Sequence, residues 1–498
     1  MLDDATAVPA GSELTADVCI VGAGPAGITL ARELAARDRD VVLLEAGGEK
    51  HEEASQEIYR GEEHCDLLGP DAYYLLAGRA RVLGGTTLHW HGWCRPMDPL
   101  DFAARPWVED SGWPLQRDEL TPFYRRAARL LGLSDFDDDA DRGRAPTPPL
   151  LAGSGRFETT FYHLRAIRFG RAFRRELSSA PRIRSLLHAA AVELETDPSS
   201  TRVERVVVAG PDGRRFAVRA PRVVLAAGGI ENARLLLLSD RVAPRGLGNG
   251  HDLVGRCFME HLHAFVVMAA LTDEGASFDL YRRQKDAARG HGIAGALRLS
   301  AAAQREGRLL NTLLSAAEPP MGSPPAATAA GGALALAVDG MAGDRRRLSW
   351  TRLEIRGEQT PNRDSRVTLT NERDRLGCRR VRLDWKVRAQ DLDSLRATTE
   401  LLGRELGGRG LGRVRCLLAP GAPPPGRVYG GFHQMGTTRM HADPRHGVVD
   451  ARQRVHGIEN LYVAGASVFP TVGCSNPTLT LLALTHRLGD HLVESLRR

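Results

Sequence analysis

The chain has 498 residues, of which 42% are hydrophobic and 26% are charged, a composition typical of a soluble globular protein long enough for two domains. Its net charge is +6, and nearly all of its basic residues are arginines spread along the chain. Because there is no long basic block, nucleic-acid binding is not favoured. No apolar run is long enough to span a bilayer, and the first residues carry no secretory or twin-arginine signal. We expect a cytoplasmic protein without a membrane span.

The cysteines and histidines indicate no metal site. The seven cysteines are widely spaced and include no C-x-x-C pair, which predicts a reduced protein without a zinc site. Glu260, His261 and His263 stand close together, but two histidines and one acid need a more distant ligand before they hold a metal ion. We therefore interpret both histidines as structural.

The first predicted elements form a dinucleotide-binding unit. Residues 18–21 predict a buried parallel strand, and the motif G-A-G-P-A-G follows it directly, ahead of a helical apolar pattern. Gly22 permits a tight turn, Gly24 lets the backbone approach a pyrophosphate, and Gly27 lets helix and strand pack closely. A second apolar strand ends in Glu45, which is placed to accept hydrogen bonds from a ribose diol.

Later glycine-rich turns favour FAD over NAD as the dinucleotide. Residues 83–90 read L-G-G-T-T-L-H-W, residues 222–232 run from a strand into a double-glycine turn and a helix, and residues 460–467 form a third turn. Dehydrogenases that use NAD alone seldom need contacts spread from one end of the chain to the other. From these turns we expect cofactor contacts at Gly84, Gly85, His89, Ala227, Gly465 and Ala466.

Two residues near the C-terminus have the chemistry needed to remove a proton from an alcohol. His433 lies in G-G-F-H-Q-M-G-T-T-R-M, and Asn476 lies in V-G-C-S-N-P-T-L-T. An imidazole that is largely neutral at pH 7 accepts a hydroxyl proton, and a neutral amide orients the same oxygen without adding charge. Both are candidate catalytic residues.

With these motifs in hand, the chain resembles the glucose–methanol–choline (GMC) oxidoreductases. His433 matches the active-site histidine of the family, and Asn476 matches its second active-site position, which is His or Asn. The resemblance is nearest to the bacterial branch of pyranose oxidases, glycoside 3-oxidoreductases and sugar dehydrogenases. It implies an FAD-dependent enzyme that oxidises a CH–OH group of a sugar, glycoside or polyol-like alcohol, with hydride transfer to flavin N5 and His433 as base. It covers residues 16–48, 79–114, 221–261 and 428–498.

Three questions stay open at this point. A tailoring oxidase or dehydrogenase for a natural-product alcohol is the second interpretation, and a redox-neutral lyase on the same fold is less favoured. The electron acceptor is either O2 or another redox partner. His89 matches a histidine that is covalently bound to flavin in pyranose oxidases, but the preceding Thr-Thr-Leu departs from their pattern, so a noncovalent cofactor is favoured.

The expected fold class is α/β, with a Rossmann-like FAD-binding domain and a substrate domain of antiparallel sheet and helices. The FAD-binding domain is predicted to be discontinuous, built from residues 1–110, 186–258 and 428–498. The substrate domain then takes residues 111–185 and 259–427.

Smaller elements are expected inside both domains. Three strands of a small sheet are predicted in the FAD-binding domain, at residues 187–194, 203–208 and 215–218. In the substrate domain, two alternating segments predict antiparallel strands and a third predicts an amphipathic helix. These three are Arg366–Leu369, Arg380–Trp385 and residues 390–406. Residues 318–332 form a low-complexity loop that is either an active-site cover or a passive insertion.

Overall fold

The computed structural model describes residues 1–65, 67, 73–143, 145, 147–273, 275–286, 289–316, 349–419, 421 and 428–497. The predicted low-complexity loop at residues 318–332 lies outside these ranges. No helix in the described ranges combines the length and the apolarity that a bilayer crossing requires.

A parallel sheet carries the N-terminal fingerprint, as the sequence predicts. All four side chains of its central strand, Val18–Val21, are buried, which is typical of a strand covered by helices on both faces. In the described residues the sheet has six strands, and every neighbouring pair is parallel. In spatial order they are β1 (Leu2–Asp4), β8 (Ile183–Leu187), β4 (Val41–Leu44), β3 (Val18–Val21), β12 (Arg222–Leu225) and β22 (Leu461–Val463).

Long helices cover this sheet and connect its strands. Helix α1 (Pro25–Ala35) starts directly after Gly24 with proline at its first position, where the missing N–H costs nothing. The last helix, α11 (Pro477–Ser495), follows Asn476 and packs against α1 and α5 (Thr121–Leu131). The other helices on this side of the molecule are α7 (Phe169–Ser179) and α8 (Gly228–Leu238).

A small second sheet confirms three further predicted strands. It has the order β2 (Glu13–Thr15), β11 (Arg215–Arg219), β10 (Val203–Ala209) and β9 (Ala190–Thr196). Strand β10 is antiparallel to both of its neighbours, and β2 joins the edge in parallel.

The remaining large sheet is antiparallel and carries several residues of the site described below. Its central strands β13 (His261–Leu271) and β17 (Ser349–Glu358) pair so that His261 stands opposite Glu358 and His263 stands opposite Arg356. Its other described strands are β6 (Trp93–Cys94), β7 (Phe157–Leu164), β14 (Gln284–Asp286), β15 (His291–Leu299), β16 (Thr312–Ala316), β20 (Gly412–Cys416) and β21 (Val428–Gly430).

A three-stranded sheet and short helices complete the described fold. Strands β18 (Arg366–Arg373) and β19 (Arg379–Trp385) pair antiparallel as predicted, and β5 (Glu62–Cys65) joins β19 in parallel. Helix α10 (Ala389–Gly408) confirms the amphipathic helix. The short helices are α2 (Glu53–Gln56), α3 (Tyr74–Ala77), α4 (Pro99–Phe102), α6 (Asp138–Gly143) and α9 (Ala301–Gly307).

Two large apolar clusters lie in the described residues, one around the parallel sheet and one around the large antiparallel sheet. Side chains of α5, α7 and β8 belong to the first cluster, although the sequence prediction divides the chain at residue 186. The α/β fold class is confirmed, and the exact residue ranges of the two domains stay a proposal.

Candidate functional site

A large cavity opens beside the carboxyl ends of the parallel strands, where open α/β sheets bind their ligands. Its volume is about 1540 Å³, part of it open to solvent, and its walls come from the first fingerprint, the double-glycine turn and the C-terminal segment. His433 also lines it. The predicted cofactor residues in its walls are Gly22, Gly24, Glu45, Gly85, Ala227, Gly465 and Ala466.

Two glycines of the fingerprint serve different purposes. A Cβ atom added to Gly27 would stand 1.8 Å from the carbonyl oxygen of Gly22, so this position allows helix α1 to pack closely against the turn. A Cβ added to Gly24 would meet no protein atom within 4 Å, and Gly24 faces the cavity. This open backbone at a helix N-terminus suits a pyrophosphate, and the cavity therefore fits an extended dinucleotide.

Glu45 directly follows strand β4, and two backbone N–H groups hold its carboxyl group. One of its carboxyl oxygens accepts a hydrogen bond from the Ala23 N–H at 3.1 Å, and the other accepts one from the Gly47 N–H at 2.9 Å. Burial raises the pKa of Glu45 to about 7 despite these two hydrogen bonds. The carboxyl group is thus held rigidly at the end of β4, in the cavity wall.

Two neighbouring side chains after the second glycine turn, Trp90 and His89, differ in whether they line the cavity. Trp90 lines the cavity and donates from Nε1 to the carbonyl oxygen of Ile167 at 2.8 Å. His89 is exposed at the end of the 3₁₀ turn Gly85–Leu88, and it is not among the described residues that line the cavity. Gly27 and Gly84 also lie outside the wall.

The two candidate catalytic residues meet although 43 positions separate them. His433 Nε2 lies 3.2 Å from Asn476 Nδ2. Asn476 directly precedes α11, and the backbone N–H of His433 donates to Glu260 Oε2 at 2.8 Å. The loop that follows β21 and the start of the last helix therefore converge on one point at the cavity.

A buried arginine fixes the orientation of the side-chain amide of Asn476. Arg356 Nη1 donates to Asn476 Oδ1 at 2.7 Å, and a guanidinium has no acceptor atom. The amide oxygen must therefore point to Arg356, and the Nδ2 hydrogens point toward His433. Burial opposes ionisation of the neighbouring Glu354, but the hydrogen bond from His263 and the charge of Arg356 lower its pKa to about 2. Glu354 thus balances the arginine charge.

Two histidines that the sequence suggested were structural lie against His433. His261 Nδ1 is 2.9 Å from His433 Nδ1, and His261 Nε2 is 3.2 Å from the carbonyl oxygen of Val472. The ring of His263 is 5.9 Å from that of His433, and its Nδ1 contacts Glu354 at 2.7 Å. The alternating H-x-H spacing on one strand is the signal that places both rings on one face.

No group of three or more His, Cys, Asp or Glu side chains in the described ranges is arranged to hold a metal ion. Burial lowers the pKa of His433 well below 6.5, and the nearby His261, His263 and Arg356 lower it further. Burial also lowers the pKa of His261 to about 3. Both rings are therefore neutral at pH 7, and a neutral imidazole facing the cavity is able to accept a proton.

Two protein-family models match the chain. The model described as FAD dependent oxidoreductase matches residues 17–246, and the model described as GMC oxidoreductase matches residues 361–485. The first span contains the fingerprint and Glu45, and the second contains His433 and Asn476.

Similar curated proteins align over nearly the whole chain. The 6'''-hydroxyparomomycin C oxidase of Streptomyces lividus is 26% identical, with 95% of this chain and 91% of the relative covered. The 2-methyl-1,2-propanediol dehydrogenase of Mycolicibacterium austroafricanum is 26% identical over 96% of this chain and 95% of its own length. The fructose dehydrogenase large subunit of Gluconobacter japonicus is 24% identical, with 97% and 99% covered.

Solved structures share the fold. The crystal structure of a pyridoxine 4-oxidase superposes with a TM-score of 0.56 at 20% identity, covering 95% of this chain and 98% of the other. A formate oxidase superposes with the same TM-score of 0.56 at 18% identity, covering 98% and 99%.

Proposed function

Because the chain belongs to the GMC family of FAD-dependent oxidoreductases, we propose that it oxidises a CH–OH group of a sugar, glycoside or polyol-like alcohol. The observation that carries this proposal is the pairing of His433 Nε2 with Asn476 Nδ2, 3.2 Å apart. One neutral proton acceptor and one neutral donor converge there, at the cavity that fits the cofactor. This is the chemistry that oxidation of an alcohol requires of the protein.

In this proposal His433 and Asn476 have different roles. His433 Nε2 accepts the hydroxyl proton, and Asn476 Nδ2 donates a hydrogen bond to the same oxygen and fixes its orientation. Bound FAD would supply the two-electron acceptor for the hydride of the carbinol carbon, so that the alcohol, which gives its hydroxyl proton to His433, becomes a carbonyl compound. The neutral amide adds no charge beside the base, so removal of the proton depends on His433.

The cofactor is proposed to lie along the cavity without a covalent bond. The exposed position of His89 outside the cavity wall supports noncovalent binding. Acid precipitation of the purified protein tests this proposal, because a covalently bound flavin would stay in the pellet. The residues proposed to contact FAD are Gly22, Gly24, Glu45, Gly85, Ala227, Gly465 and Ala466, and Gly27 and Gly84 are proposed to shape the turns that carry them.

A tailoring oxidase for a natural-product alcohol is the second candidate. Two similar proteins carry names of this kind, the 6'''-hydroxyparomomycin C oxidase of Streptomyces lividus and the paromamine 6'-oxidase of Streptomyces fradiae, each 26% identical to this chain. Oxidation of an aminoglycoside alcohol and oxidation of a neutral sugar use the same two catalytic residues. A substrate panel that contains both classes separates the candidates.

An anaerobic substrate screen tests the proposed function. Sugars, glycosides, polyols and aminoglycosides are mixed with the purified flavoprotein, and bleaching of the flavin absorbance reports transfer of electrons. Release of peroxide in air then distinguishes an oxidase from a dehydrogenase that uses another acceptor. The proposal fails if no alcohol bleaches the flavin.

A substitution of His433 tests whether this residue is required for the activity. We expect His433→Ala to keep its flavin and to lower kcat by about 100-fold to 10,000-fold, the usual contribution of a general base. His251→Ala, at an exposed position, is the matched control and should retain full activity. A fully active His433→Ala variant would contradict the assignment.

A further inference from the structure

Both ring nitrogens of His433 have partners, and the second partner begins a chain of contacts that ends on the backbone. His433 Nε2 faces the Asn476 amide, and its Nδ1 faces Nδ1 of His261 at 2.9 Å. His261 Nε2 in turn faces the carbonyl oxygen of Val472 at 3.2 Å. Val472 lies four residues before Asn476, so this chain of contacts closes on the segment that carries the other candidate catalytic residue.

The direction of the hydrogen bonds in this chain follows from the carbonyl oxygen at its end. A carbonyl only accepts, so the hydrogen of His261 must be on Nε2. Burial keeps His261 neutral, with one ring hydrogen, and its Nδ1 is therefore a bare acceptor. The hydrogen in the contact between the two rings then belongs to His433 Nδ1. His433 is neutral as well, which leaves its Nε2 without a hydrogen.

The opposite arrangement is disfavoured at two points. If the hydrogen of His433 were on Nε2, it would point at the N–H of Asn476, whose oxygen is held by Arg356. At the same time two bare lone pairs would face each other 2.9 Å apart between His433 and His261. Each unpaired buried polar group of this kind has lost its hydration without gaining a hydrogen bond in return.

We propose that His261 is a positioning residue that fixes the tautomer of His433, so that Nε2 of the base carries no hydrogen and is the atom that takes the proton of the substrate. The inference rests on the proposed function and deepens it. His261 touches neither substrate nor cofactor in this role and acts through the ring of His433. When His433 becomes protonated during the reaction, its Nδ1–H stays donated to His261 and the ring keeps its orientation.

Two substitutions separate this role from simple packing. His261→Leu fills the space but removes both hydrogen bonds, so the tautomer of His433 is no longer fixed and we expect kcat to fall about 10-fold to 100-fold. His261→Gln offers an amide oxygen to His433 Nδ1 and an amide N–H to Val472, and we expect it to recover most of the lost kcat. His163→Leu, which removes an equally buried histidine, is the matched control and should leave kcat unchanged.

Nitrogen NMR gives a readout that does not depend on turnover. The flavoprotein is labelled with nitrogen-15 histidine, and the signals of His433 are identified by their loss in His433→Ala. We expect a protonated Nδ1 and a bare Nε2 in the unmodified protein, a mixture of tautomers in His261→Leu, and the original state in His261→Gln.

The outcomes distinguish the two proposals. If no alcohol reduces the flavin, the proposed function fails, while the nitrogen-15 signals still test the role of His261. A His433 that is protonated on Nε2, or a tautomer unchanged in His261→Leu, would overturn the inference. So would an equal loss of kcat in the Leu and Gln variants at unchanged flavin content. If His261→Leu does not fold, the signals of the unmodified protein and of His261→Gln decide the question.

Discussion

Arg356 donates to Oδ1 of Asn476 at 2.7 Å, and this contact decides which end of the amide faces His433. Arg356→Met removes the donor and lets the amide turn over, and we expect kcat/KM to fall by about 10-fold to 100-fold because the substrate oxygen loses its orienting hydrogen bond. Steady-state kinetics at equal flavin content measure the effect.

Arg356→Lys is the control for Arg356→Met, because it keeps the positive charge of the side chain. Arg356→Lys keeps a buried positive charge beside Glu354, so it should retain more activity than Arg356→Met if hydrogen bonding to the amide matters. Because Glu354 keeps its contact with His263, neither change should abolish folding. Equal activity of both variants and the unmodified protein would show that the amide needs no such anchor.

The pH dependence of the reaction should follow His433. Its pKa is lowered by burial and further by the nearby His261, His263 and Arg356, and the buried Glu260 beside it is largely uncharged at pH 7 because burial raises its pKa to about 8. A base works in its neutral form, so kcat/KM should rise with pH through a pKa below 6.5 and reach a plateau near pH 7, which extends to the pH at which Glu260 ionises.

A substitution at Asn476 provides the check on this pH profile. Asn476→Asp places a carboxylate 3.2 Å from the ring in place of the amide nitrogen, and this negative charge favours the protonated imidazole. We expect its kcat/KM profile to move to higher pH and its kcat to fall. A profile of the unmodified protein that rises only above pH 7 would contradict the assignment of His433 as base.

The two fingerprint glycines should respond differently to alanine. Gly24→Ala puts a methyl group where no protein atom lies within 4 Å, so the chain should fold and bind less flavin, because the methyl group occupies the space of the pyrophosphate. Gly27→Ala forces a methyl group to within 1.8 Å of the Gly22 carbonyl oxygen and should destabilise the fold by about 1–3 kcal/mol or more.

Two measurements distinguish these glycine variants. The ratio of bound flavin to protein reports cofactor binding, and the urea midpoint of the flavin-free protein reports the stability of the fold. Gly24→Ala should change the first value only. A large loss of stability in the flavin-free Gly24→Ala protein would mean that Gly24 serves packing and not the approach of the cofactor.

A buried ion pair supports the segment that leads to Asn476. Arg105 and Glu358 form a two-point contact with fully buried side chains, and Glu358 also accepts a hydrogen bond from the Gly473 N–H at 3.3 Å. Arg105→Met leaves this carboxylate uncompensated, and we expect a loss of about 3–5 kcal/mol in the free energy of unfolding. Urea denaturation measures it.

The exposed pair of Arg174 and Glu49 is the matched comparison. Its side chains are 54% and 37% exposed, and pairs of this kind contribute at most about 1 kcal/mol. Arg174→Met should therefore shift the unfolding midpoint little. Equal losses in the two variants would show that burial of Glu358 is not what makes its partner important.

The parallel sheet and its glycine-rich turns were predictable from the sequence, because the motifs that indicate them lie within short stretches of the chain. Gly22, Gly24 and Glu45 belong to one strand–helix–strand unit, and the periodicity of that unit is visible in the sequence. His433 and Asn476 were found as candidates from their flanking residues and from the family resemblance. Their 3.2 Å contact required the fold.

The partners of the candidate catalytic pair could not be predicted, because they depend on the register between distant strands. His263 stands opposite Arg356 and His261 opposite Glu358 only through the antiparallel pairing of β13 with β17, nearly a hundred residues later. A slip of one residue in that pairing would turn the side chains of one strand to the other face. Periodicity places His261 and His263 on one face of β13, but it does not say which strand pairs with β13.

The pairing of β22 with β12 has a consequence for how the protein is made. This strand positions the turn after it, and Gly465 and Ala466 of that turn supply part of the cavity wall, although they lie near the end of the chain. A nascent polypeptide therefore has an N-terminal fingerprint long before it has a complete pocket, and we expect tight capture of FAD to wait until synthesis is nearly finished. Because Pro477, Thr478 and Leu481 also line the cavity, the yellow colour of a preparation would then report chains translated past residue 481, and products that stop earlier would be colourless.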